Sequence, residues 1–207
     1  FGVMSKKPVI VFEGIECSGK SLHIKNVCNY LRKRRISYIY LREPGGSKNS
    51  EIIRKLILNK KSNFNKNTDL FLYSASRSEN IQRLKKFHKK KIILIDRFTD
   101  STIAYQHFGL GIKMNLIRKI HNEILDGFKI DFTFLNIVNN SNMLSRLRNR
   151  SKLNRYDKFS SKFYQKVQRG YLKIANRKKN KYLIIDSNLD LKKNKEIIIK
   201  KINDLIK

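Results

Sequence analysis

Five short apolar runs recur along the chain, at 9–12, 38–41, 92–95, 132–135 and 182–185. Their length and their Val, Ile, Leu and Phe content predict buried strands. Between them lie segments whose apolar residues return every three or four positions, predicting helices at 20–34, 48–59, 68–88, 114–126, 140–149, 159–176 and 190–206. Within 114–126, Leu116, Ile117, Ile120, Ile124 and Leu125 share one face, and Gly127 is placed to end the helix. Within 159–176, Phe159, Phe163, Val167 and Tyr171 repeat every fourth residue and read as core. Near-continuous apolar strands alternating with helices predict an α/β fold, with a five-stranded parallel sheet covered on both faces. In such folds ligands sit at the carboxyl ends of the strands. No Pro-, Gly- or Ser-rich linker and no internal repeat interrupts the pattern, so 1–207 reads as a single domain. Phe1, Gly2 and Val3 precede Met4; they read as a foreign leader and are set aside.

The loop after the first strand is Gly14-Ile15-Glu16-Cys17-Ser18-Gly19-Lys20-Ser21. Its spacing is G-x-x-x-x-G-K-S, set between a strand and a helix, which is the context a phosphate-binding loop requires. Glycines let the backbone wrap so that N–H groups converge on phosphate oxygens, and the following helix adds its positive end. Lys20 can reach the β- and γ-phosphates, and the Ser21 hydroxyl can ligate Mg²⁺. The expectation is a P-loop NTPase-like three-layer fold.

Asp96-Arg97 directly follows the third strand, on the edge where the phosphate loop lies. Asp96 there can hold Mg²⁺ or one of its waters, or it can cap the next helix. Arg97 can grip phosphate oxygens with a planar fork. Glu43-Pro44-Gly45-Gly46 after the second strand predicts a defined turn. Arg54, two helical turns on, is either a second phosphate grip or a solvated helix residue; periodicity does not choose. The polar, basic stretch 149–158 carries Arg150, Lys152 and Arg155. It reads equally as a lid over a triphosphate or as a solvated connection. His23, His88, His107 and His121 form no metal-ligand spacing and read as structural or exposed.

Composition changes this picture in one respect. Lys and Arg number 47 against 16 Asp and Glu, a formal charge of +31. A nucleic-acid partner is the reflex explanation. The basic runs at 32–35, 89–91 and 177–179 instead close predicted helices, where cations complement the helix dipole. They form no single stripe, so no dedicated nucleic-acid partner is expected; the charge should still concentrate anionic nucleotides. No run reaches the length of a membrane span, and residues 1–12 lack a signal-peptide pattern. With two dispersed cysteines, a cytoplasmic protein without membrane association is expected.

Taken with the loop at 14–21, three further pieces resemble the thymidylate kinase family: Arg42-Glu43-Pro44-Gly45-Gly46-Ser47, Tyr73-Ser74-Ala75-Ser76-Arg77, and the run from Asp96-Arg97 to Ala104-Tyr105-Gln106. The lid segment and the 163–172 stretch continue in order. The resemblance implies a nucleoside-monophosphate kinase domain with its lid near 149–158, transferring a phosphoryl group from ATP to dTMP with Mg²⁺. It implies that Tyr73 stacks on thymine, that Arg77, Thr102 and Gln106 contact the base, and that Tyr105 crowds the sugar's 2′ position. Arg54 and Arg97 would hold the dTMP phosphate, with Glu16 and Glu43 beside the acceptor. The phosphate loop contains no arginine, so the chain resembles the bacterial type whose lid supplies one. Arg150 is the expected transition-state contact, with Arg155 and Arg148 as rivals. Departures from the family pattern are Tyr73 for Phe, Asn154 for a lid Asp, Asn136 for an Asp after the fourth strand, and Leu22-His23 for a small polar pair. A homodimer through helices near 68–88 and 101–126 is also implied. The alternative is a related P-loop nucleotide or deoxynucleoside kinase with another acceptor.

Overall fold

A computed structural model describes residues 7–151 and 153–207. The leader reading of residues 1–3 and the lid cation Lys152 lie outside the described residues. Five strands form the predicted parallel sheet: β1 (Val9–Glu13), β2 (Tyr38–Arg42), β3 (Ile92–Asp96), β4 (Phe132–Ile137) and β5 (Tyr182–Asp186). Their order is β2-β3-β1-β4-β5. Every side chain of β1 is buried, as its unbroken apolar run demands, whereas Tyr40 and Ile184 on the two edge strands are exposed. The chain leaves β1 for one side of the sheet and later returns to its other side, which opens a crevice beyond the carboxyl end of β1.

Helices α1 (Lys20–Lys33) and α8 (Leu191–Ile206) cover one face, where Leu31, Ile198 and Ile202 meet Ile10, Phe12 and Phe134. On the other face, α3 (Lys66–Phe87) packs Ile81 and Leu84 against Val9, Val11 and Ile93. Beside it, α7 (Ser161–Arg177) brings Val167 and Tyr171 against Leu135 and Tyr105. Three layers result, as predicted.

Shorter elements depart from the sequence pattern. Residues Thr99–Thr102 form α4, which continues as a π-helical turn over Ile103–Gly109; neither has an apolar period of its own. The helix α7 begins at Ser161, because the Ser160 side chain caps it by accepting from Phe163 N. Phe159 therefore lies before the helix in extended backbone, and stacks on Phe163 at 4.1 Å between ring centroids. In α5 (Met114–Leu125), Ile117 is buried but Leu116 is exposed, so the predicted apolar face is narrower than drawn. The left-handed residue ending α5 is Asp126, at φ 41°, with Gly127 following. The remaining helices are α2 (Lys48–Leu58) and α6 (Asn140–Arg148).

Candidate active site

Register fixes the site. Phe12 pairs with Asp96 and Glu13 with Leu135, so the loop after β1 and the Asp96-Arg97 pair emerge on the same sheet edge. Gly14 leaves the strand at φ 141°, where a Cβ would lie 2.2 Å from the Asn136 carbonyl oxygen; only glycine passes there. Lys20 folds back beneath the loop and donates to the carbonyls of Gly14 and Ile15, both at 3.0 Å. Burial, followed by the nearby Arg97 guanidinium, lowers its ammonium to about 8. A cation so placed awaits an anion.

Arg97 adopts φ 64°, a left-handed conformation that a non-glycine residue holds only when its surroundings enforce it. The enforcement comes from Glu13. That carboxylate is fully buried and accepts from Phe98 N at 2.9 Å, Ser101 N at 3.1 Å, Ser101 Oγ at 2.6 Å and Tyr171 Oη at 3.0 Å. It thereby satisfies N–H groups at the start of α4, so capping falls to Glu13 and the capping reading of Asp96 is excluded. Arg97 then donates to the Gly14 carbonyl at 2.8 Å and to Glu16 at 2.8 Å, with its guanidinium 5.2 Å from the centre of the Tyr105 ring.

Glu16 is the negative centre of a cationic ring. Burial pushes its carboxyl up, but Arg97, Lys20, Arg150 and Arg54 outweigh that and hold it below the usual carboxylate range. Arg54 is half-buried, donates to the Pro44 carbonyl at 2.6 Å and lines the cleft, which removes the solvated reading. Ser21 and Asp96 line the same cleft.

Deeper in the cleft lie Tyr73, Arg77, Thr102, Tyr105 and Gln106, with Glu43 at its wall. Arg77 is almost fully buried and donates from Nε to Glu43 at 2.8 Å and from Nη1 to Thr102 Oγ1 at 3.0 Å. Burial pushes the Glu43 carboxyl up, and the Arg77 guanidinium opposes it. The amide nitrogen Nε2 of Gln106 is buried without a partner among the described residues. Buried donors left open in a cleft await a ligand. Thr102 and Gln106 owe their place to α4 and the π-turn, which face them away from solvent.

Arg150, Asn154 and Tyr156 wall the cleft on one side. A 3₁₀ turn spans Arg155–Lys158, with Asn154 and Asp157 capping one another reciprocally. Asn154 thus does the capping work that an aspartate could do. Arg150 donates to Asp157 at 2.8 Å and lies 3.8 Å from Glu16, at the phosphate end. Arg155 turns the other way, to Asp69 of α3 at 2.5 Å, and Arg148 is exposed outside the cleft. Tyr156 is buried against Tyr73 and Tyr105 and forms a wall of the inner pocket.

A second cavity of about 320 Å³ flanks the loop, lined by Cys17, Gly19, Leu22, Arg146, Ser187 and Leu189 among others. Arg146 braces it by donating to the Cys17 carbonyl at 3.1 Å and the Ser187 carbonyl at 2.7 Å. The sequence reading missed Glu13, Arg146, Tyr156 and Tyr171. Arg146 carried a signal: it is a basic residue in the last turn of α6, ahead of the basic stretch at 149–158. Glu13 carried one too, as the lone charge at the end of an apolar strand.

A family model described as thymidylate kinase matches residues 12–198. The chain is 32% identical to a thymidylate kinase of Kosmotoga olearia over 193 residues, covering 92% of this chain and 93% of that one. It is 36% identical to a thymidylate kinase of Ligilactobacillus salivarius, covering 89% of this chain and 91% of that one. The crystal structure of thymidylate kinase from Ehrlichia chaffeensis superposes with a TM-score of 0.76 at 28% identity, covering 96% of this chain and 99% of that one. With the phosphate-loop residues and an arginine-lined cleft in one connected site, and with matches spanning nearly its whole length, the chain belongs to the thymidylate kinase family.

Proposed function

We propose that this chain, acting as one kinase unit, transfers the γ-phosphoryl group of ATP to dTMP, giving ADP and dTDP. The observation that carries the reading is the ring around Glu16: Arg97 bonds both Glu16 and the Gly14 carbonyl at 2.8 Å, so acceptor grip and phosphate loop share one cleft. An oxygen of the dTMP phosphate attacks the γ-phosphorus, and the bond from that phosphorus to the β,γ-bridging oxygen breaks. Two polyanions must meet in line, so positioning and charge neutralisation supply most of the catalysis. Lys20 and the loop amides address the ATP phosphates. Arg54 and Arg97 hold the acceptor phosphate. Arg150 is the lid's contact to the transferring group. Tyr73 stacks on the base, Arg77, Thr102 and Gln106 meet its polar edge, and Tyr105 faces the sugar beside Glu16 and Glu43. The cavity at Leu22, Leu189 and Arg146 has the apolar walls and cationic brace that an adenine ring would use.

A magnesium ion fits the residues present. Ser21 and Asp96 offer a hydroxyl and a carboxylate, hard oxygen donors, beside the Lys20 ammonium. Neither side chain makes a hydrogen bond to another described residue. Bound there, Mg²⁺ would neutralise charge on the ATP phosphates.

The same proposal includes a homodimer. On α3 the exposed residues Phe71, Ala75, Ser78 and Gln82 form an uncharged stripe at spacings of four, three and four, in a chain of charge +31. Light scattering at micromolar protein should report twice the chain mass. It also includes a cytoplasmic setting, consistent with two free thiols and with no helix among the described residues long and apolar enough to cross a membrane.

Coupled ADP-release assays with ATP and Mg²⁺ should give turnover with dTMP. Thymidine should be a poor acceptor, because Arg54 and Arg97 would face no phosphate. Good turnover with thymidine or with another monophosphate, and none with dTMP, would replace this reading with the alternative acceptor.

A further inference from the structure

Arg77 carries five N–H donors in a rigid fork. Nε is taken by Glu43 at 2.8 Å. Nη1 meets Thr102 Oγ1 at 3.0 Å and, from a third element, His121 Nε2 at 3.0 Å. Among the described residues nothing accepts from Nη2, and Arg77 lines the acceptor cleft. We propose that His121 is a positioning residue for base selection: its Nε2 occupies the remaining Nη1 hydrogen of Arg77 and thereby presents both Nη2 hydrogens to the acceptor base. The proposal rests on the reading of Arg77 as a base contact and adds what fixes that contact.

Three observations support it. His121 is buried on α5, outside the cleft lining, so it acts through Arg77 and not on the ligand. Burial, followed by the Arg77 guanidinium, lowers its ring to about 3, so the imidazole is neutral and can accept. The proton then sits on Nδ1, the opposite nitrogen. Beneath the fork, the Phe98 ring lies 5.0 Å from the guanidinium carbon, so the plane is held from below as well as at its edge. An acceptor base that offers a carbonyl to Nη2 is bound; one that offers an amino group there sets donor against donor and is rejected.

The test compares His121→Leu, His121→Gln and His121→Asn. Leu removes the acceptor while keeping the volume. Gln reaches as far as Nε2 does, and Asn stops short. The Leu and Asn variants should raise KM for dTMP about tenfold, since a buried charged donor is left unpaired. Their ratio of kcat/KM for dTMP over dCMP should fall by a similar factor. KM for ATP should stay within about twofold of the parent, because α5 does not touch the ATP subsite, and His121→Gln should restore the dTMP values. Equal behaviour of the Gln and Asn variants overturns the proposal, as does an unchanged dTMP-to-dCMP ratio in His121→Leu. Should the Leu protein not fold, the Gln–Asn comparison alone decides. Arg77→Lys separates the two readings. If it leaves the dTMP-to-dCMP ratio intact, Arg77 does not read the base. If it lowers the ratio while the His121 series does not, only the role of His121 falls.

Discussion

ATP binding should take up a proton, and the source is Lys20. In the free protein its ammonium is lowered to about 8, first by burial and then by Arg97. Relative to an ordinary lysine the difference corresponds to about 3 kcal/mol of disfavour for the charged form. The sign follows directly. At pH 9 the unfolded chain keeps the Lys20 proton and the free folded protein has largely lost it, so this group makes folding stability rise with pH from about 8 to about 10.5. A triphosphate laid on the loop supplies the missing counter-charge and returns the group to its protonated form. At pH 9 uptake should therefore approach about 0.9 proton per ATP, and at pH 7 about 0.1. Above pH 8 the ATP phosphates are fully ionised and add little. Isothermal titration calorimetry in two buffers of different ionisation enthalpy reads the number directly, and Lys20→Met gives the background. Uptake below about 0.3 proton at pH 9, or equal uptake in Lys20→Met, would refute the argument, since the loop lysine would then already be stabilised before ATP arrives.

Four other variants can be measured. Arg150→Ala should lower kcat about a thousandfold, as expected when an arginine contacting the transferred phosphoryl group is lost, with KM for dTMP little changed; Arg155→Ala should instead lower the melting temperature by breaking the 2.5 Å pair with Asp69. Gly14→Ala should abolish ATP binding, and a variant that still bound ATP at parental affinity would contradict the 2.2 Å approach of Asn136. Asp100, pushed up to about 6 by burial, is most favourable to folding when neutral, so its contribution is complete below about pH 4 and is lost as pH rises through 6. Asp100→Asn should flatten that segment of the stability–pH curve in denaturant titrations.

The layered α/β fold and the phosphate loop were legible in the chain because their signals are local: an apolar run, a helical period, and a glycine spacing next to both. The same holds for Asp96-Arg97, which a strand end delivers to the right sheet edge whatever the rest of the chain does. The stretch 149–158 stayed open in the sequence between a lid and a plain connection, because charge alone carries no direction. Only the fold shows that Arg155 pairs with Asp69 on α3, while Arg150, held by Asp157, lies beside Glu16. Phe159 was misplaced because its spacing matched the helix, while the Ser160 cap that excludes it is a hydrogen bond and not a period. Likewise Tyr171 and His121 stood with nothing to mark them, and the charge at Glu13 said nothing of its partners. Their roles depend on partners far along the chain, 158 residues away for the Glu13–Tyr171 bond and 44 for Arg77 with His121. Periodicity and motif spacing report on what a residue does with its neighbours in sequence; a buried polar group is defined by whatever the fold packs against it, and that is set only when the layers close.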